Sequence, residues 1–183
     1  MTPATSKPAT PAEPIPKRAA APFAVGDKVV YPHHGAAVIE QVEELVMFGE
    51  TRDYFVLRIA YGDLTLKVPT DQADEVGMRS IIGRDELLEV MEVLRRPGGR
   101  EPSNWSRRFK NNIEKMKSGD IYQIAELVRN LSRREQDKHL STGEKRLLVN
   151  ARRLLLSELR LVNDTTDDEA ETMLDGIFAA PPS

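Results

Sequence analysis

No cysteine occurs in the 183 residues. Disulfides, thiol catalysis and thiolate-bound zinc or iron–sulfur centres are therefore excluded, and the composition fits a reducing compartment. No apolar run approaches the roughly 20 residues that span a bilayer. The first 22 residues lack the apolar core of a secretory signal, so a cytoplasmic protein with no membrane partner is expected. Nucleotide and hydrolase signatures are missing as well: no GxxxxGK(S/T), no GxGxxG after a strand, no GxSxG and no HExxH. Of only three histidines, His33 and His34 are adjacent. Neighbouring strand side chains face opposite ways, which favours a structural turn reversed at Gly35 over a metal site. The carboxylates are scattered. Enzymatic function is the weakest reading, and neither a cofactor nor a small-molecule substrate is expected. Aromatic residues make up only 5% of the chain, with a single tryptophan, Trp105.

Charge, by contrast, is abundant and segregated. Residues 23–90 hold six basic and thirteen acidic residues, whereas residues 91–161 hold seventeen basic and nine acidic ones. Residues 162–183 carry six acidic residues and no basic one. An acidic module is thus joined to a basic one, which points to a polyanion as partner of the basic segment.

Residues 1–22 are Pro/Ala-rich without apolar periodicity and read as a disordered arm of polyproline II tendency. From Phe23, short runs rich in Val, Ile, Tyr and Phe (KVVYP, RDYFVLRIA, LTLKVP) are punctuated by Gly26, Gly35, Gly49 and Gly62. FGE at 48–50 and YGD at 61–63 read as hairpin turns. Four or five short antiparallel strands in so few residues predict a small, fully closed barrel over 23–82. After Gly83 the period becomes helical. Leu87, Leu88, Met91 and Leu94 share one face of a first helix. RRPGGREPSN breaks it, and a second helix capped by Ser103 or Asn104 aligns Trp105, Phe109, Ile113 and Met116. Ile121, Ile124, Val128 and Leu131 mark a third helix, and STGE at 141–144 is a capping box that opens a fourth. A last short helix carries Ala170, Met173, Leu174, Ile177 and Phe178. The fold class is α+β: a small antiparallel β-barrel at 23–82 followed by an all-α bundle at 83–180.

Within EPSNWSRRFKNN, Trp105 stands at a helix start with Arg107, Arg108 and Lys110 beside it. Lys145 and Arg146 open the fourth helix in the same way. Cations at helix starts, where backbone N–H groups are free, suit phosphate contacts. Two readings of Trp105 stay open. Periodicity favours a core residue packed beside Phe109, while the neighbouring cations favour a planar wedge for a minor groove or an unstacked base step. Other classes are an RNA- or ribosome-binding module that uses the barrel, which its acidity disfavours, and a structural adaptor with Trp105 buried.

The stretches FAVGDKVVYPHHGAAVIEQVEE, LTLKVP, EPSNWSRRFKNN and STGEKRLLVNAR together resemble the CarD/CdnL family of bacterial transcription regulators, over about residues 23–180. The resemblance implies a Tudor-like domain that binds the β subunit of RNA polymerase. It also implies a helical domain that holds promoter DNA, without sequence specificity, in the minor groove at the upstream edge of the melted region. The implied DNA-binding residues are Trp105, Arg107, Arg108, Lys110 and Lys145, and the implied polymerase contacts are Leu45, Met47, Lys67 and Pro69. Some relatives carry arginine where this chain has Leu45 and Lys67. Lys67 keeps the charge without the bidentate fork, and Leu45 loses it. A cytoplasmic protein, associated with the nucleoid through polymerase, is implied.

Overall fold

The valine-rich runs between Lys28 and Ser80 form five antiparallel strands: β1 (Lys28–Tyr31), β2 (Gly35–Met47), β3 (Glu50–Ile59), β4 (Thr65–Pro69) and β5 (Arg79–Ser80). The computed structural model describes residues 22–179; the Pro/Ala arm at 1–21 and residues 180–183 lie outside the described residues. Sheet order is β4-β3-β2-β1-β5. One face is apolar, because alternate residues of each strand point inward: Val29, Ala37, Ile39, Phe55, Leu57, Ile59 and Val68 pack there with Ala73 and Met78. A bulge between Ile39 and Gln41 bends β2.

The expected full closure does not occur. β4 and β5 sit at opposite edges of the sheet without pairing. With two residues, β5 is too short to complete a ring, and the apolar face is covered instead by the segment that follows β4, through Ala73, Val76 and Met78. Nor are all strands short, since β2 runs for 13 residues. Beyond the Tyr54–Pro69 pair, the β2–β3 hairpin continues as a two-stranded ribbon. It closes through Phe48 and Gly49, at φ 54° and 83°, positive at both positions as in the type I′ turn of two-residue hairpins.

Five helices follow: α1 (Arg84–Arg95), α2 (Trp105–Ser118), α3 (Ile121–Asp137), α4 (Thr142–Asn163) and α5 (Asp167–Ala179). α1 buries Leu87, Val90, Met91 and Leu94. Leu88, expected on that face, is 65% exposed; it lies one residue out of phase with the stripe that Val90 completes. Gly119, at φ 68°, ends α2. The side chain of Asp120 then caps α3, accepting from the Tyr122 N–H at 2.8 Å. α3 and α4 supply most of the core, including Ile121, Ile124, Val128, Leu131, Leu148, Leu155 and Leu159. No helix among the described residues is long and apolar enough to cross a membrane.

The sheet is seated on the second half of α4. Ser157 Oγ accepts from the Ala36 N–H at 2.8 Å and donates to the Leu154 carbonyl at 2.6 Å. Glu158, 2% exposed, takes two bonds from the Arg79 guanidinium, at 2.7 and 3.0 Å, and one from the Ile82 N–H at 2.9 Å. Arg153 donates to the carbonyls of His33 and His34 at 3.1 and 3.2 Å. Lys28 Nζ reaches the Leu161 carbonyl and the Asp164 carboxylate at 2.8 and 2.6 Å. Gly35 makes the closest approach. Its φ is +100°, and a Cβ there would lie 2.5 Å from Ser157 Oγ.

Gly35→Ala is therefore expected to destabilise the protein by at least about 2 kcal/mol, through backbone strain and collision together. Adding Ser157→Gly removes the collision but not the strain. Thermal melts of the two single variants and the double variant should show a favourable coupling between the sites; simple additivity would refute the collision.

Candidate nucleic-acid interface

The N-termini of α2 and α4 meet, and Trp105 sits where they do. Asn104 caps α2, its side chain accepting from the Arg107 N–H at 3.0 Å. This turns the chain into the helix with Trp105 as its first residue. The indole stacks on Phe109 one turn later, with centroids 5.1 Å apart and planes 13° from parallel. Phe109 in turn lies on Gly143 of α4, where a Cβ would come within 3.1 Å of the ring. Trp105 Nε1 donates to Ser141 Oγ at 3.2 Å. One face and one edge of the indole are thus fixed, and Trp105 remains 46% exposed. Both sequence readings hold in part: Trp105 rests on the bundle and is presented to solvent.

Ser141 is saturated. Its hydroxyl donates to Glu144 Oε2 at 2.8 Å and accepts from the Glu144 N–H at 3.3 Å as well as from the indole, which uses its one donor and both lone pairs. The Glu144 carboxylate also accepts from the Ser141 N–H at 3.0 Å, closing the expected capping box. Its other oxygen takes Arg108 Nε and Nη2 at 3.0 and 2.8 Å. Burial pushes the Glu144 carboxyl up, but the Ser141 and Arg108 hydrogen bonds outweigh it and hold the group below the usual glutamate value.

Arg108 departs from the expected phosphate-facing role. It is 3% exposed, and besides Glu144 it donates to the Pro102 and Ser103 carbonyls at 3.1 and 3.4 Å. Two successive arginines on a helix diverge by about 100°, so one turns inward and its neighbour faces solvent. Arg107, Lys110, Lys145 and Arg146 are all exposed, and none makes an ion pair among the described residues. The first turns of two helices therefore present four unpaired cations around a fixed, half-exposed indole. Their helix dipoles add positive potential at the same place. Such a surface can bind phosphates and offer one flat ring to a base or groove.

Leu45, Met47, Lys67 and Pro69 share the outer face of the sheet. The register places Glu43, Tyr54 and Pro69 in one cross-strand row and Gln41, Val56 and Lys67 in the next, with Leu45 opposite Arg52 and Met47 opposite Glu50. Lys67 is exposed but bonded to Glu43 Oε2 at 2.6 Å. Met47 is 46% exposed, while Leu45 and Pro69 are half-buried. No group of three His, Asp or Glu residues able to hold a metal ion occurs among the described residues. The contribution of Ser141, Glu144 and Gly143 to Trp105 escapes sequence reading. The capping box is visible there, but nothing local pairs it with a residue 36 positions away.

Residues 23–82 match the family described as CarD-like/TRCF RID domain. Residues 89–175 match the one described as CarD, C-terminal domain. Over 150 residues the chain is 33% identical to a Bacillus subtilis (strain 168) protein named "Putative transcription factor YdeB", covering 82% of this chain and 98% of that one.

Ser141→Ala should cost about 1 kcal/mol through the lost cap and release the indole edge. Trp105 is the only tryptophan, so acrylamide quenching reads it directly and should rise. Because the Glu144 value is depressed in the fold, its contribution is complete above the ordinary carboxylate value and is lost as pH falls through the lower, folded one. Tryptophan emission should be flat through neutrality and change only in acid. In Glu144→Gln the component of that acid transition due to Glu144 should vanish.

Proposed function

The chain belongs to the CarD/CdnL family of bacterial transcription regulators, and from that premise we propose that it acts without catalysis, binding the β subunit of RNA polymerase through its sheet and stabilising the promoter open complex through the Trp105 surface. The observation that carries this reading is the indole itself: 46% exposed, clamped against Phe109 and Ser141, and ringed by unpaired cations. A tryptophan held only for packing would be buried, and one without a role would not be fixed at an edge and a face.

At the upstream edge of melted promoter DNA, one base step has lost its stacking partner. A planar ring entering the minor groove there occupies the space that re-stacking needs. Arg107, Lys110 and Lys145, with Arg146 beside them, grip the flanking phosphates and fix position without reading sequence. Arg108 works one step back, tying Glu144 to the 102–103 backbone so that Ser141 faces the indole. A single stacked side chain is worth about 1–3 kcal/mol. That energy stabilises the open state only because the closed duplex offers no such step. Affinity for free DNA is then low, and attachment to polymerase supplies the effective concentration. The acidic sheet suits this division, since it avoids DNA and complements a basic protein surface. Leu45, Met47, Lys67 and Pro69 form its contact, with Leu45 adding apolar area and Lys67, already bonded to Glu43, contributing less charge than a free cation would. Its place of action is the cytoplasmic promoter complex.

The lifetime of an open complex on a housekeeping promoter, formed with the cognate polymerase, tests the reading. Wild-type protein should lengthen it, and Trp105→Ala, folded and polymerase-bound, should not. Equal lengthening by both would overturn the wedge. Replacing Arg107, Lys110 or Lys145 by alanine should shorten the lifetime and lower the salt slope of DNA binding by about one per residue.

A further inference from the structure

Three of the large apolar side chains that face solvent flank the tip of the β2–β3 ribbon: Val46 (71% exposed) on one face, Met47 (46%) on the other and Phe48 (101%) in the turn itself. The ribbon from Glu43 to Asp53 pairs mostly with itself, because β4 ends at Pro69, opposite Tyr54, and β1 pairs no further along β2 than Val38. Its tip breaks a local rule. A two-residue hairpin turn with φ positive at both positions favours Asn, Asp or Gly at the first, and here the first is Phe48 at φ 54°. Phe48 gains nothing from the fold in exchange, since its ring is fully in solvent. A residue that opposes local preference without a packing return marks a surface kept for another purpose.

The chemistry of the ribbon narrows the occupant. Residues 40–54 carry Glu40, Glu43, Glu44, Glu50 and Asp53 against a single base, Arg52. DNA and anionic lipid are repelled by that excess, whereas a folded protein with an apolar socket rimmed by Lys or Arg is attracted. Leu45 and Met47 lie on the same ribbon and are already assigned to the polymerase contact. Building on that reading, we propose that the polymerase-binding surface continues past Met47 to the ribbon tip, where Phe48 is the anchor residue, seated in an apolar, cation-rimmed socket on the polymerase. Exposed aromatic anchors of this kind dominate interface energetics, while the acidic flanks govern association rate and its salt dependence.

The test uses the full chain and purified cognate RNA polymerase core, comparing wild type, Phe48→Asn and Phe48→Leu by equilibrium binding and thermal melting. Asparagine suits positive φ, so Phe48→Asn should melt at or above the wild-type temperature while binding at least about tenfold more weakly, as expected for loss of an aromatic anchor. Phe48→Leu, which keeps an apolar tip, should retain most of the affinity. Wild-type binding with Phe48→Asn equally tight would overturn the anchor and leave the polymerase contact standing. A lowered melting temperature for Phe48→Asn would assign Phe48 to the fold and overturn the anchor as well. Absence of wild-type binding would remove the polymerase reading, and the anchor with it.

Discussion

Ser157 lies so close to Gly35 that any side chain there would meet its hydroxyl, and around this contact the sheet is bolted to the helices. Arg79 and the Ile82 N–H converge on buried Glu158, Arg153 holds two carbonyls of the 33–34 turn, and Lys28 grips the end of α4. These partners come from one helix. The same helix, at its other end, presents Ser141, Gly143 and Glu144 to the indole and to Phe109. α4 is therefore core, hinge pin and platform at once. The support of the Trp105 edge and the seat of the sheet thus share one helix.

Buried ionic groups in this chain are tied down at several points. Glu144 and Glu158 are each 2% exposed, and each takes a guanidinium together with a backbone N–H. That number of partners offsets the cost of taking a carboxylate out of water. It also gives direction: the Glu144 cluster aims the indole, and the Glu158 cluster aligns the sheet. Neighbouring arginines divide the work, Arg108 inside as a strut and Arg107 outside as an exposed charge.

Features encoded within a few residues were readable from the chain itself. Gly49, set between two β-rich runs, announces a hairpin, Ser141–Glu144 announces a helix start, and the Ile121, Ile124, Val128, Leu131 stripe announces a buried face, because each depends on backbone preference or helical period alone. Features that depend on distant partners were not readable. Whether β4 and β5 meet depends on the length of β5 and on the segment covering the sheet, so the barrel stayed open. The burial of Arg108 requires Glu144, 36 residues on. Leu88 lies only one step of helical phase from buried Leu87, a margin that composition cannot decide. Trp105 was ambiguous in sequence for a physical reason: it is half supported and half presented.

The continuity of α4 has a consequence for how such a chain can change. From Ser141 to Ser157 the helix advances about 24 Å, at about 1.5 Å and 100° per residue. Length and angle are thus coupled along it. Deleting one residue between those points would shorten the span by little more than a bond length, yet swing the indole a quarter-turn around the axis relative to the sheet. Insertions and deletions are therefore far harder to accommodate there than in the loops, and this helix can drift in composition while its residue count stays locked.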